Sequence, residues 1–338
     1  VIVDNGSNKQ ETLELLKSFS NYSNVKVIYS ETNLGIIRGT QLAFQNAKGD
    51  YVLPVDHDDL ITYDALHVFF HSIVNNNYPA ILYSDEDKTN PESRNSLPFL
   101  KPDWDPVMFF NNCYIAHLCA FNRKIAIDLD VYSDTKADGC HDWDTLYRFI
   151  RKGHFPLHIP EVLYSWRIHP QSTASGVISV KPYTVNSQLH VLKQQFDFLG
   201  KTNDYELIEN KLHPNSGMWS IRRKTDFSFK VAITFIYNGR NEKTLFEQLQ
   251  KIESINTKLI CDIFIHSTQK EILNLEKFLS FYKKGNIFLG NYFENQQNFT
   301  NYDFAFFISD EVSFDNTMWL SESLGMLDFF DDSVLVSG

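Results

Sequence analysis

Cysteine, positive charge and long apolar runs are all scarce in this chain of 338 residues. The four cysteines have neither paired spacing nor a Cys-x-x-Cys, which predicts free thiols in a reducing compartment. Acidic residues outnumber basic ones by 42 to 31, and the net charge of −11 argues against a nucleic-acid groove. No apolar run approaches the roughly 18 residues of a membrane span. The glycines form neither a G-x-G-x-x-G nor a P-loop, so dehydrogenase and kinase interpretations lack their fingerprint.

Strand-like and helix-like segments alternate from the start of the chain. Four ranges have the apolar pattern of short buried strands: Val1–Val3, Val25–Tyr29, Tyr51–Val55 and Ala80–Tyr83. With helical patterns between them, this order predicts an α/β fold with a mostly parallel sheet and helices on both faces. Ligands of such sheets bind beyond the carboxyl ends of the strands. Four acidic residues are expected at that edge: Asp4, Asp56, Asp58 and Asp85.

The pattern restarts near Phe229, which predicts a second, diverged copy of the same fold. Ile260–Ile265, Ala305–Ile308 and Val334–Val336 correspond to Val1–Val3, Val52–Val55 and Ile81–Tyr83. We therefore expect two tandem domains, residues 1–225 and residues 226–338. Both copies are expected to be incomplete. The first would lack the strand and helix that the second has from Val231 to Glu253, and the second would lack its later half.

Asp56 and Asp58 follow a strand pattern at the spacing Asp-x-Asp, and two such carboxylates can hold a hard divalent cation. Ions of this kind bridge to substrate phosphates, and Asp4 nearby could hydrogen-bond a base or ribose. His169 is a candidate further ligand, since imidazole suits Mn²⁺. Each residue also has a structural interpretation. Asp58 or Asp59 could cap the next helix, Asp4 could serve a turn, and His169 could be a loop histidine.

A helical pattern begins near Asp142 and continues through Trp143, Leu146, Tyr147 and Ile150. Asp142 lies in the first turn, where the helix dipole stabilises an ionised carboxylate. It could act as a general base that removes a proton from an attacking hydroxyl, while a metal ion neutralises a departing diphosphate. A simple capping or first-turn charge is the alternative. Trp104, Trp143 and Trp166 could be core residues or sugar platforms.

In combination, these motifs resemble the GT-A glycosyltransferases of family 2. The resemblance is carried by Val1–Ser7, Asn33–Gly35, Gly49–Leu60, Tyr83–Lys88, Lys101–Trp104 and Leu163–His169. The last three segments are similar to those of a bacterial subgroup of tandem-domain enzymes that build O-antigen and other surface polysaccharides, often described as rhamnosyltransferase-like. The resemblance is strong over about residues 1–200 and weak over residues 229–338.

The resemblance implies an inverting hexosyltransferase that moves a sugar from a UDP- or dTDP-sugar to a glycan or lipid-linked acceptor hydroxyl. It implies Asp142 as the catalytic base, preceded by His141 where the family has Gln or Glu. The implied metal ligands, for Mn²⁺ or Mg²⁺, are Asp58, Asp56 and His169, and the implied donor-binding residues are Asp4, Asn33, Asp56 and Asp85. The implied location is the cytoplasm, at the inner face of the bacterial plasma membrane, with peripheral association left open.

Two other interpretations stay open. A non-catalytic nucleotide- or carbohydrate-binding scaffold of a larger glycan-assembly protein is favoured by the second copy, where Ser309-Asp310-Glu311 replaces Asp56-His57-Asp58. A nucleotidyltransferase has a similar sheet, but it needs a phosphate loop rich in glycine and basic residues, which this sequence does not show near its start.

Overall fold

A computed structural model describes residues 1–90, 95–167, 182–209, 218–224, 228–237, 242–255, 259–267, 280–291, 299–314 and 318–330. The chain divides into two compact units. The first comprises Val1–Thr202 and Glu209–Trp219, and the second comprises Asn203–Ile208 and Ser220–Gly338. That each unit is a copy of one GT-A domain stays a prediction.

The first unit combines short strands with helices. Its strands are β1 (Ile2–Asp4), β2 (Val27–Tyr29), β3 (Tyr51–Val52), β4 (Leu60–Ile61), β5 (Ile81–Asn90), β6 (Asn95–Phe99), β7 (Cys119–Asn122) and β8 (Leu157–Arg167). Its helices are α1 (Gln10–Ser18), α2 (Gly35–Asn46), α3 (Ala65–Asn75), α4 (Pro106–Asn111), α5 (Arg123–Asp128), α6 (His141–Ile150) and α7 (Pro182–Leu199).

Two sheets organise the strands of this unit. β1 and β2 pair in parallel, with Asp4 opposite Tyr29. A six-stranded sheet has the order β3-β7-β5-β8-β4, with β6 beside β5. In it, β5 and β8 are parallel, and the pairs β3–β7, β4–β8, β5–β6 and β5–β7 are antiparallel. The α/β class is confirmed, and the larger sheet of the first unit is mixed.

Element ends differ from the sequence prediction at two strands. β3 stops at Val52 instead of reaching Val55, because Pro54 cannot donate to a strand ladder and Val55 is exposed. β5 continues well past Tyr83, since its polar second half pairs with β8 on one side and β6 on the other. Pairing on both sides, and not apolar alternation, sets the length of this strand.

The core beside the site packs α3 against β5, β7 and β8. Its buried members are Ala65, Phe69, Ile73, Leu82, Leu118, Ala120, Ile159, Leu163 and Tyr164. Ala65, Phe69 and Ile73 recur every four residues, which gives α3 one apolar inner face. This packing fixes the position of β8, whose last residues contact the turn from Asp56 to Asp59.

The second unit is built on a parallel sheet of β11 (Lys230–Tyr237), β12 (Ile260–Ser267), β13 (Ile287–Asn291) and β14 (Phe304–Ser309), in the order β13-β12-β11-β14. β9 (Tyr205–Glu209) and β10 (Trp219–Arg223) form a separate pair. The helices are α8 (Glu242–Ser254) and α9 (Met318–Phe329). Strands β11, β12 and β14 contain the ranges predicted from the sequence. The strand predicted at Val334–Val336 lies outside the described residues.

The four cysteines are free, as predicted: Cys113, Cys119, Cys140 and Cys261. Burial raises the pKa of Cys119, Cys140 and Cys261 to about 12, so these thiols stay protonated at neutral pH. Among the described residues, none of the helices is both long and apolar enough for a membrane crossing.

Candidate active site

The acidic turn from Asp56 to Asp59 joins β3 to β4 and is held by β8. Asp59 is buried, and its carboxylate accepts hydrogen bonds from Tyr164 Oη at 2.5 Å and from the Arg167 backbone N–H at 2.9 Å. Arg167 Nε donates to the carbonyl of Asp58. These bonds leave Asp56 and Asp58 part-exposed, with 48% and 38% of their side chains accessible.

The alternative that Asp58 or Asp59 caps the following helix is wrong. Helix α3 begins at Ala65, and its N-cap residue is Asp64, whose side chain makes no capping bond. Asp59 instead bonds across the unit to β8. Neither Asp58 nor Asp59 therefore caps helix α3.

Asp56 lies in an excess of negative charge. Burial raises the pKa of its carboxyl; the carboxylates of Asp142, Asp59 and Asp58 raise it further, and His117 opposes them. His117 Nε2 lies 3.8 Å from Asp56 Oδ2. Because the Asp142 carboxylate raises the pKa of Asp56, the predicted metal turn and the predicted base lie close enough to interact.

The donor set of this turn fits a hard divalent cation. Asp56 and Asp58 offer carboxylate oxygens, and Mg²⁺ and Mn²⁺ accept one or two carboxylates while keeping several waters. Within the described ranges, no group of three His, Cys, Asp or Glu residues forms a complete metal site. The third predicted ligand, His169, lies outside the described residues. The two carboxylates would therefore hold the ion only together with waters, substrate phosphates or a further ligand.

Asp142 lies in the first turn of α6, as the spacing predicted, and 31% of its side chain is accessible. Its Oδ1 is 3.5 Å from Tyr132 Oη, and its Oδ2 is 3.4 Å from His141 Nε2. The N-cap of the helix is Cys140, whose side chain makes no cap bond, so Asp142 is not the capping residue. The alternative that Asp142 is only a first-turn acidic residue stays open at this position.

A cavity of about 560 Å³ opens beside Asp142, and its wall includes His117, Lys88, Trp166 and Gln188. A smaller pocket is lined by Pro54, Tyr132 and Leu146, and it also includes Asp142 and His117. Because the two pockets share His117 and Asp142, these residues lie between them. Asp142 is thus a partly exposed carboxylate on the wall of both pockets.

Asp4 ends β1 and is buried, and its Oδ1 accepts the Ser7 backbone N–H at 3.1 Å. The turn interpretation of Asp4 is therefore confirmed, and a donor role for its remaining oxygen stays a prediction. Asn5 links this turn to the next motif, since its side chain accepts from Leu34 N at 2.7 Å and donates to Gly35 O at 3.2 Å.

Asn33 belongs to the turn that Asn5 contacts. Its Oδ1 accepts the Gly35 N–H at 2.8 Å. Gly6 has φ +78°, and a Cβ at this position would lie 2.8 Å from Asn33 N and from the carbonyl carbon of Thr32. The structure thus brings together the Asp4 and Asn33 motifs, which the sequence predicts at the donor site, and it requires glycine where they touch.

Asp85, which is predicted to bind the sugar donor, makes contacts that connect parts of the fold. It is buried, and its Oδ1 accepts the Lys101 backbone N–H at 2.8 Å and lies 2.8 Å from His158 Nε2. His158 Nδ1 in turn lies 3.0 Å from Asp103 Oδ1. The donor role of Asp85 stays a prediction, while these bonds tie β5 to the start of β8.

His117 is a site residue that the sequence reasoning missed. Its backbone N–H donates to Glu86 Oε2 at 2.8 Å, and the buried Lys101 Nζ donates to the His117 and Ile115 carbonyls and pairs with Glu86 at 3.2 Å. The motifs around Glu86 and Lys101 were recognised, but no spacing signal connects either of them to His117.

The three tryptophans of the first unit's motifs divide by role. Trp143 is buried and donates from Nε1 to Phe109 O at 3.1 Å, and Trp104 packs on the Phe109 ring at 5.0 Å. Trp143 therefore follows the core interpretation, although it also lines the cavity, and the partly buried Trp104 packs beside it on Phe109. Trp166 is only partly buried and lines the cavity, with its ring 5.8 Å from that of His117.

A family model matches the first part of the chain. Residues 1–129 match the family model described as Glycosyl transferase family 2. The resemblance to family 2 glycosyltransferases is confirmed over this part of the chain, which includes Asp4, Asn33, Asp56, Asp58 and Asp85. Asp142 lies beyond the matched residues.

Three relatives extend the comparison. The uncharacterized protein y4gI of Sinorhizobium fredii is 30% identical over 199 residues, covering 57% of this chain and 21% of that protein. The O-antigen biosynthesis protein RfbC of Myxococcus xanthus is 25% identical over 176 residues, covering 52% and 14%. The chondroitin synthase of Pasteurella multocida is 22% identical over 315 residues, covering 86% and 32%. The chain therefore spans a third or less of the length of these relatives.

Solved structures with a similar fold include S. aureus TarS 1-349 in complex with UDP-GlcNAc, at 17% identity and TM-score 0.44, covering 60% of this chain and 61% of that one. GalNAc-T7 with UDP, GalNAc and Mn²⁺ is 16% identical with TM-score 0.46, covering 60% of this chain and 44% of that one.

Proposed function

We propose that the first unit is an inverting glycosyltransferase that moves a sugar from a nucleotide-diphosphate donor to an acceptor hydroxyl, with Asp142 as the general base. The observation that carries this proposal is the convergence of Asp142 and Asp56. They come from separate elements, interact electrostatically, and both adjoin His117 beside an open cavity. Asp142 and Asp56 both stay partly accessible, whereas Asp59 is buried and accepts hydrogen bonds from Tyr164 and from the Arg167 backbone.

Inversion requires the acceptor oxygen to attack the anomeric carbon on the face opposite the departing diphosphate. In the proposed reaction, Asp142 accepts the acceptor hydroxyl proton as the new bond forms. Asp142 lies in the first turn of α6, and Tyr132 and His141 contact its carboxylate and restrict its orientation. The nucleoside would lie against the adjoining turns of Asp4 and Asn33, with Asp85 as a further donor contact.

Asp58 and Asp56, with His169, are the residues we propose to hold Mn²⁺ or Mg²⁺. When bound, such an ion neutralises charge on the diphosphate leaving group. The proposed donors are UDP- or dTDP-sugars. We propose a glycan or lipid-linked acceptor; the names of the relatives RfbC and chondroitin synthase support a role in polysaccharide synthesis. The setting we propose is the cytoplasmic face of the plasma membrane.

Calorimetric titration of UDP and dTDP, with and without Mn²⁺, tests the donor side of this proposal. We expect binding of one nucleotide that requires the metal ion and is lost in Asp58→Ala. Asp142→Asn is the matched control, because it removes a carboxylate of the same cavity and should retain binding. Binding that is indifferent to Mn²⁺ and to Asp58 would contradict the proposed metal site.

A non-catalytic scaffold is the second candidate function. It is favoured by the second unit, where Ser309 ends β14 in place of an acid and the next residue, Asp310, is fully buried. A scaffold predicts binding of nucleotide or glycan with no turnover of any nucleotide sugar, so a donor-hydrolysis screen separates it from the transferase.

A further inference from the structure

Lys88 and Trp166 form a pair on the cavity wall that the proposed reaction does not use. They are opposite each other on the parallel strands β5 and β8, and the Lys88 ammonium lies 4.9 Å from the centre of the Trp166 ring. Both side chains are partly buried and both line the cavity that contains Asp142. Since two paired strands carry them, their spacing is fixed by the sheet.

The Lys88 ammonium has the Trp166 ring as its neighbour. Within the part of the chain that the structure describes, Lys88 has no ion-pair partner. Glu86, the nearby acid on the same strand, pairs with Lys101 at 3.2 Å and accepts a hydrogen bond from the His117 N–H at 2.8 Å. The aromatic ring attracts the ammonium and holds it in place, and its three N–H donors remain available to a ligand.

Contacts connect this pair to the reaction centre. The Trp166 ring meets the His117 ring at 5.8 Å, and His117 Nε2 lies 3.8 Å from Asp56 Oδ2. His117 and Asp142 line the same cavity as Lys88 and Trp166. A sugar packed on Trp166 would therefore lie within the space where Asp142 meets its substrate.

We propose that Lys88 and Trp166 form an acceptor subsite that selects a negatively charged sugar. The sugar contacts the Trp166 ring beside the Lys88 ammonium, and its carboxylate, or another anionic substituent, accepts hydrogen bonds from that ammonium. The assignment as an acceptor subsite rests on the proposed function, whereas the binding preference itself does not require turnover.

Saturation-transfer NMR titrations of the full chain test this subsite with methyl β-D-glucuronide, methyl β-D-glucoside and glucose 6-phosphate. We expect the glucuronide to bind about fivefold more tightly than the glucoside, the scale of one partly solvated ion pair. If glucose 6-phosphate binds as tightly as the glucuronide, the subsite selects for negative charge alone. If the glucuronide binds more tightly than glucose 6-phosphate, the subsite selects for the carboxylate. Both results support the subsite.

Variants connect the preference to the residues. Lys88→Met, which keeps the aliphatic stem, should bring the glucuronide and the glucoside to equal affinity, and Lys88→Arg should retain the preference. Lys124→Met is the matched control, since it removes a lysine charge from exposed helix α5 outside the cavity. A wild type without a preference for the glucuronide, or a preference that survives Lys88→Met, would overturn the proposal. A preserved preference in a chain that turns over no donor would contradict the transferase and leave the anionic subsite standing.

Discussion

Asp56 is a side chain whose ionisation the fold opposes. Burial and the neighbouring carboxylates raise its pKa, so the folded chain binds this proton more tightly than the unfolded chain does. Stability contributed by the protonated form is therefore present at low pH and is lost as pH rises through the raised pKa. An acid kept in such surroundings is typical of a site that binds a cation or a proton.

Replacing Asp56 by Asn should increase the free energy of unfolding at neutral pH in the absence of metal. It should also reduce the loss of stability expected for the wild type as pH rises from about 4 through the raised pKa of Asp56. Urea denaturation across that range measures both effects, with the exposed Asp50→Asn as control. A variant less stable than wild type at neutral pH would contradict the electrostatic account of this turn.

Gly6 and Gly35 form a matched pair for testing the donor-side turns. Both have positive φ, +78° and +73°, but only Gly6 has no space for a side chain. Gly35→Ala should destabilise by about 1 kcal/mol, from backbone strain alone. Gly6→Ala should destabilise by a larger amount and weaken nucleotide binding, because the Asn33 turn must move. Thermal unfolding and calorimetry of the two variants make the comparison, and equal effects would contradict the close contact.

At the scale of elements, a buried ion pair shapes the segment that carries His117. Lys101 and Glu86 are almost fully buried, and between them they bond the carbonyls of Ile115 and His117 and the N–H of His117. Neither charge faces water, so each depends on the other and on these backbone groups.

Lys101→Met should therefore lower the free energy of unfolding by about 3–5 kcal/mol, because it leaves the Glu86 charge buried without its partner. The double variant Lys101→Met/Glu86→Leu should regain part of that loss, since it removes the unpaired charge. Urea denaturation of the single and double variants measures the coupling. A double variant no more stable than the single one would show that Glu86 acts independently of Lys101.

β8 holds the acidic turn through Tyr164 and Arg167, and Tyr164→Phe tests this contact. The variant keeps the ring in the core but removes the hydroxyl that Asp59 accepts, at a cost of about 1–3 kcal/mol. If the bond positions the turn, metal-dependent nucleotide affinity should fall as well. Tyr51→Phe is the control, since its hydroxyl bonds the Pro79 carbonyl, away from the turn. A loss of stability with unchanged nucleotide affinity would limit Tyr164 to a structural role.

For the molecule as a whole, the sequence predicts the α/β class, the position of Asp142 on its helix and the ranges of strands β12 and β14 in the second unit. These succeed because apolar spacing is a local property. Apolar spacing does not predict which residues pair over long distances in the sequence. The length of β5, the bonds of Asp59 to β8 and the position of His117 all depend on partners far along the chain. The pairing of Lys88 with Trp166 became visible only through the register of two strands.

Turnover of nucleotide sugars by the wild-type chain and by Asp142→Asn, side by side, tests the proposed catalytic role most directly. With Mn²⁺, an acceptor mixture and a panel of UDP- and dTDP-sugars, we expect the wild type to transfer sugar from at least one donor. Asp142→Asn should reduce that transfer by about 10²–10⁴-fold while its nucleotide affinity stays unchanged. Equal transfer by the two proteins, or no transfer by the wild type from any donor, would contradict the assignment of Asp142 as the base of a glycosyltransferase.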